Sequence, residues 1–159
     1  MEVFKNNLQK GINMEGQSID VLLAEDDQGD VVLIKESLKN SKIVINMNVV
    51  KDGQECMEYL RRTGKHGTAA KPDLVLLDLN MPKKDGRQVL AEMKMDQYLK
   101  KIPVVILTTS EAEADIAKTY EMGANCYVTK PVDFKQFQKV VNEIAHFWFT
   151  VVKLPDGKY

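Results

Sequence analysis

Four places in this sequence hold residue types that can do chemistry together, each at the end of a short apolar run. Glu25-Asp26-Asp27 follows the run 19–24, Asp78 closes 73–78, Thr108-Thr109 ends 103–108, and Lys130-Pro131 follows 125–129. Three adjacent carboxylates facing a fourth repel one another unless water, a raised pKa or a bound cation separates them. An all-oxygen set of this kind selects a hard ion such as Mg2+, which takes few carboxylates and keeps several waters. Beside such an ion Asp78 is a candidate nucleophile, because a carboxylate can form an aspartyl phosphate. Phosphoryl transfer asks the protein mainly for positioning and charge neutralisation, and Lys130 and Thr108 offer a positive charge and a hydroxyl donor. Each feature alone has a plainer reading. The acids can cap a helix, Asp78 and Thr108 can simply end strands, and Lys130 can be a solvated lysine. The acidic first turn argues against a loop that cradles bare phosphate with backbone amides.

The four features gain weight from the elements that must position them. Five apolar runs read as strands: 19–24, 43–50, 73–78, 103–108 and 125–129. Most are continuous rather than alternating, as strands covered on both faces should be. Helical segments fall near 28–39, 53–62, 84–95, 111–122 and 133–148. In the last, Phe134, Phe137, Val140, Val141, Ile144, Ala145 and Trp148 form one apolar stripe. Turn formers mark the joints at Asp52-Gly53, Gly64 to Gly67, Asp85-Gly86 and Gly123. Strand–helix alternation predicts an α/β fold, a doubly wound parallel sheet with helices on both faces. Such sheets bind ligands at the carboxyl ends of their strands, where the four features fall. The fourth helix, EAEADIAKTYEMGA, is alanine-rich and weakly apolar, so it reads either as shallow and movable or as an ordinary surface helix.

The bulk properties exclude several classes. A chain of 159 residues fits one domain. With 44% hydrophobic and 28% charged residues it reads as globular rather than disordered. A net charge of −1 supplies no field for nucleic acid or anionic lipid. Cys56 and Cys126 have no metal-ligand spacing and read as free thiols. His66 and His146 have no metal partner in the sequence. The N-terminal stretch lacks an apolar h-region, and no apolar run is long enough to span a membrane. A cytoplasmic location is therefore expected. Residues 1–17 read as a flexible leader, 18–147 as the domain, and 148–159 as an apolar extension.

The stretches VLLAEDD, VLLDLNMPKKDG, VVILTTS and GANCYVTKP together resemble the response-regulator receiver family, with its CheY-like fold, from about Ile19 to Ala145. The resemblance implies strand order 2-1-3-4-5 with five helices. It implies Asp78 as phosphoacceptor and Asp26 as a direct Mg2+ ligand, with Glu25 acting mostly through water. It also implies a metal contact from the backbone carbonyl of Asn80, with Thr108 and Lys130 binding the phosphoryl oxygens. Tyr127 would be the aromatic switch that turns inward when Thr108 moves, reshaping the face of helix 4, strand 5 and helix 5. Asn80 and Ser110 would tune hydrolysis, and the Lys130–Pro131 bond would be cis. Asp27 has no family role and reads as a cap.

The resemblance further implies a sensor histidine kinase as phosphodonor and no catalysis beyond the protein's own phosphotransfer and dephosphorylation. No effector domain is legible, so the expected output is a protein contact. The stretch RTGKHGTAAK and the apolar tail resemble stand-alone regulators that pair with phytochrome-type kinases and often form homodimers. The tail, His146 to Pro155, either folds back on its own domain or makes that contact. Two rivals stand beside this reading. A haloacid dehalogenase-like phosphatase needs a second Asp two residues after the nucleophile, where this chain has Asn80. A phosphorylation-silent docking module predicts loss of Asp26, Asp78, Thr108 or Lys130, and all four are present.

Overall fold

The computed structural model describes residues 18–155; the leader 1–17 and the last four residues lie outside it. Five strands, β1 (Ser18–Ala24), β2 (Val44–Val50), β3 (Leu74–Leu77), β4 (Val104–Thr108) and β5 (Cys126–Thr129), form one sheet in the order β2-β1-β3-β4-β5. Every neighbouring pair is parallel. Five α-helices alternate with the strands: α1 (Gln28–Leu38), α2 (Gly53–Arg61), α3 (Gly86–Met95), α4 (Glu113–Glu121) and α5 (Phe134–His146). This is the expected doubly wound sheet with order 2-1-3-4-5.

The two-residue period of the strands divides the apolar side chains between two cores. Leu22, Ala24, Val75, Leu77, Val104 and Ile106 meet α2 and α3 on one face. Val21, Leu23, Leu74, Leu76, Val105 and Leu107 meet α1 and α5 on the other. β3 and β4 are buried at every position, which explains their unbroken apolar runs. β2 is an edge strand and is mostly exposed or half-buried. The tail adds to the second core: Trp148 and Phe149 are buried there, whereas Phe147 and Val151 are exposed. No helix among the described residues is long and apolar enough to cross a membrane.

Four helices begin with the same device. Asp27, Asp52, Asp85 and Asp133 each accept a hydrogen bond from the amide three residues on, at 3.0, 2.8, 3.1 and 2.9 Å. Gln88 completes a capping box with Asp85. α4 begins at Ala112 with no side-chain cap, and Thr119 is its one buried residue. The weakly apolar sequence of α4 therefore becomes a helix with little burial and an uncapped start. Supplying the missing cap tests this reading. Ala112→Ser should raise stability by about 0.5–1 kcal/mol, read as a higher urea midpoint at unchanged slope.

Candidate functional site

The carboxyl ends of β1, β3, β4 and β5 meet at one edge of the sheet, and backbone bonds extend the ladder past the strands. Glu25 N donates to Val50 O at 3.0 Å, Asp78 N to Ala24 O at 3.0 Å, and Lys130 N to Thr108 O at 2.7 Å. The three side chains thus leave from backbone held as firmly as the strands. Behind Asp78, a Cβ at Gly86 would lie 2.2 Å from the Asp78 carbonyl oxygen. The start of α3 can pack there only because residue 86 is glycine.

Lys130 sits at the centre. Its Nζ lies 2.7 Å from Glu25 Oε2, 2.9 Å from Asp30 Oδ2 and 3.0 Å from Asp78 Oδ2. The side chains of Lys130, Glu25 and Asp78 are 4%, 2% and 7% exposed. Burial alone would strip Lys130 of its proton, but the carboxylates, Glu25 foremost, more than offset it and raise its pKa. Burial also works to protonate Asp78, yet the Lys130 charge together with the polar groups of Glu25, Thr108 and Lys130 around it outweighs burial and holds Asp78 below the usual carboxylate range. For Glu25 burial wins over its bond to Lys130 and pushes the carboxyl up to about 8.

Thr108 is fully buried, and its Oγ1 has no hydrogen-bond partner. The hydroxyl is near enough to help hold Asp78 ionised but does not meet hydrogen-bond geometry. A buried hydroxyl left unpaired costs about 1–3 kcal/mol, so this one is poised for an acceptor. Oxygens of Glu25, Asp26 and Asp78 all lie within 4.8 Å of one another, with Asp26 on the exposed side. That oxygen set suits a hard divalent ion. Asn80 follows closely, its amide donating to Asp78 Oδ1 at 3.2 Å. Its own side chain is exposed. Asp27 is the α1 cap, as expected.

The candidate switch residues lie beside this cluster. The Tyr127 hydroxyl donates to Ser110 O at 2.9 Å, and Ser110 Oγ donates to Asp115 Oδ2 at 2.7 Å. Arg87 grips Asp115 with two bonds of 2.9 and 2.7 Å and, together with Ser110, holds its carboxyl down to about 2. A polar chain thus runs from α3 through α4 and the β4–α4 loop to β5.

Glu25 is buried in direct contact with Lys130, and the Ser110 hydroxyl donates to Asp115. One placement differs from the expectations. No cis peptide occurs among the described residues, so Lys130–Pro131 is trans, the isomer that X–Pro bonds favour by about 0.5–1 kcal/mol. Sequence reading missed Asp30, Arg87 and Asp115. The only signal for Asp30 was its place one turn into the helix that follows the acidic stretch. Arg87 and Asp115 lie on different helices, and nothing local joins them.

A parallel sheet in this order, with acids ending β1 and β3 and a lysine after β5, defines a receiver-type signalling domain. A family model described as the response regulator receiver domain matches residues 21–142. The chain therefore belongs to the response regulator receiver domain family. It is 46% identical over 135 residues to response regulator Rcp1 of Synechocystis sp., spanning 85% of this chain and 92% of that protein. Its structure is similar to that of the phosphorylated cyanobacterial phytochrome response regulator RcpA. The TM-score is 0.86 and the identity 46%, over 88% of this chain and 100% of the other. The Mn2+-bound form of Rcp1 is also similar, with TM-score 0.84 and 45% identity over 86% and 99% of the two chains.

The Glu25 carboxyl makes a testable contribution to stability in metal-free protein. Its folded pKa, about 8, lies above its ordinary 4.5, so folding favours its protonated form. That contribution is complete below pH 4.5 and is lost as pH rises through about 8. Denaturant unfolding with chelator present should show stability falling from pH 6 to pH 9. Glu25→Gln should flatten that fall; an equally steep fall in the variant would remove Glu25 as its cause.

Proposed function

We propose that Asp78 accepts a phosphoryl group from a histidine kinase and that the phosphorylated domain signals through an altered surface. The observation that carries this reading is the ionised, buried Asp78 held against Lys130 beside the unpartnered Thr108 hydroxyl. The phosphorylated state of the similar RcpA supports it.

An Asp78 carboxylate oxygen attacks the phosphorus of a phosphohistidine. A P–O bond forms as the P–N bond breaks, and the imidazole departs with a proton from solvent. Lys130 shifts a donor to a phosphoryl oxygen, and Thr108 supplies its free hydroxyl. Mg2+, held by Asp26, Asp78, the Asn80 carbonyl and Glu25, would neutralise charge on the transferring group; the Mn2+ in the similar Rcp1 structure supports a divalent ion here.

Movement of Thr108 toward the phosphoryl group opens space for Tyr127. The bond from the Tyr127 hydroxyl to the Ser110 carbonyl ties β5 to the loop that leads into α4, so a turn of that ring acts on the loop. This is a local electrostatic event biasing a two-state element. Water later attacks the phosphorus, releasing phosphate and restoring Asp78, with Asn80 and Ser110 tuning that rate. The protein acts on no substrate but its own acyl phosphate.

The kinase partner fits the phytochrome type. Support comes from RcpA and from the bacteriophytochrome response regulator AtBRR, 39% identical with TM-score 0.66. Incubation with Mg2+ and acetyl phosphate, followed by intact mass, should show one added phosphoryl group. The label should vanish with chelator and in Asp78→Asn; equal labelling of that variant would displace Asp78 as acceptor.

A second copy is the other proposed partner, supported by Phe147 and Val151 standing 51% and 61% exposed beside the buried Trp148 and Phe149. The paired changes Phe147→Ser and Val151→Ser should lower the dimer fraction in sedimentation. A parent chain that stays monomeric with and without phosphodonor would rule this partner out.

A further inference from the structure

An ammonium group has three donors, and Lys130 directs all three to carboxylates: Glu25, Asp78 and Asp30. The third partner has no part in the reading so far. Asp30 lies in the first turn of α1 and its side chain is 30% exposed. A phosphoryl oxygen on Asp78 needs a donor from Lys130, so one existing bond must yield. Releasing Glu25 or Asp78 would strand an acceptor in a buried place. Releasing Asp30 hands its carboxylate to water.

Resting on the assignment of Asp78 as acceptor, we propose that Asp30 is a positioning residue for phosphoryl transfer. It holds Lys130 at the open side of the site and yields it to the phosphoryl group. The same carboxylate has two opposed effects. Its negative charge favours a divalent cation nearby, and it competes with the phosphoryl oxygens for Lys130. Removing it should weaken cation binding and speed phosphorylation. Mere loosening of α1 would weaken both.

The test compares Asp30→Asn with Asp27→Asn in the full chain. Asp27 lies in the same acidic stretch, but its Oδ1 accepts from the Asp30 amide at 3.0 Å. Asparagine caps a helix as well as aspartate does, so Asp27→Asn removes charge while sparing the helix start. Calorimetry gives Mg2+ affinity, and labelling by acetyl phosphate at saturating Mg2+ gives the transfer rate. For Asp30→Asn we expect Mg2+ affinity to fall about threefold and labelling to quicken about threefold, the scale of a partly exposed ion pair. Asp27→Asn should leave the labelling rate unchanged. Slower or unaltered labelling in Asp30→Asn, with a parent that labels normally, overturns the role of Asp30 alone. Equal acceleration in Asp27→Asn overturns it too, since general charge would then suffice. A parent that does not label overturns the acceptor assignment and this role with it.

Discussion

Burying an ammonium without partners is costly, and such a group normally gives up its charge. Lys130 keeps its own because three carboxylates reach it from the end of β1, the end of β3 and the first turn of α1. The dependence runs both ways. Without Lys130, Asp78 would lose the charge that keeps it ionised against burial. Glu25 already leans toward its protonated form even with Lys130 at 2.7 Å. The strand order makes this sharing possible, since β1 and β3 are adjacent and β5 lies two strands from β3. A long side chain after β5 can cross the end of β4 to reach them both.

The opposite property governs the neighbouring α4. Four helices start on aspartate caps and α4 does not; α5 buries Phe137, Val141, Ile144 and Ala145, whereas α4 buries Thr119 alone. What ties α4 down is largely polar: Arg87 to Asp115, and Asp115 to Ser110. Partly exposed polar contacts exchange with water at small net cost. A firm chemical site thus adjoins a helix that can shift without opening either core.

Much of this was legible in the sequence, for physical reasons that differ by residue. β3 and β4 announced themselves because covering both faces leaves no polar position to break the run. Glu25, Asp26, Asp78, Thr108 and Lys130 stood out because polar residues at the ends of such runs must face one edge. Asp30 did not, because an acid in a helix's first turn is already explained by the helix dipole. Arg87 and Asp115 stayed hidden because their pairing depends on how α3 and α4 cross. The apolar tail was ambiguous for a related reason: apolar residues look alike whether they cover their own domain or another. Trp148 and Phe149 fill the second core, while Phe147 and Val151 face out.

The direct contact between Glu25 and Lys130 bears on how the site assembles. A cleft of ionised carboxylates would spread apart, and gathering it would consume binding energy when a cation arrived. Here Lys130 and the raised pKa of Glu25 remove much of that repulsion beforehand. The oxygens of Glu25, Asp26 and Asp78 are already gathered. Lys130 thus settles two things at once: it keeps Asp78 ionised, and it holds Glu25 within reach of Asp26 and Asp78 without drawing on either core.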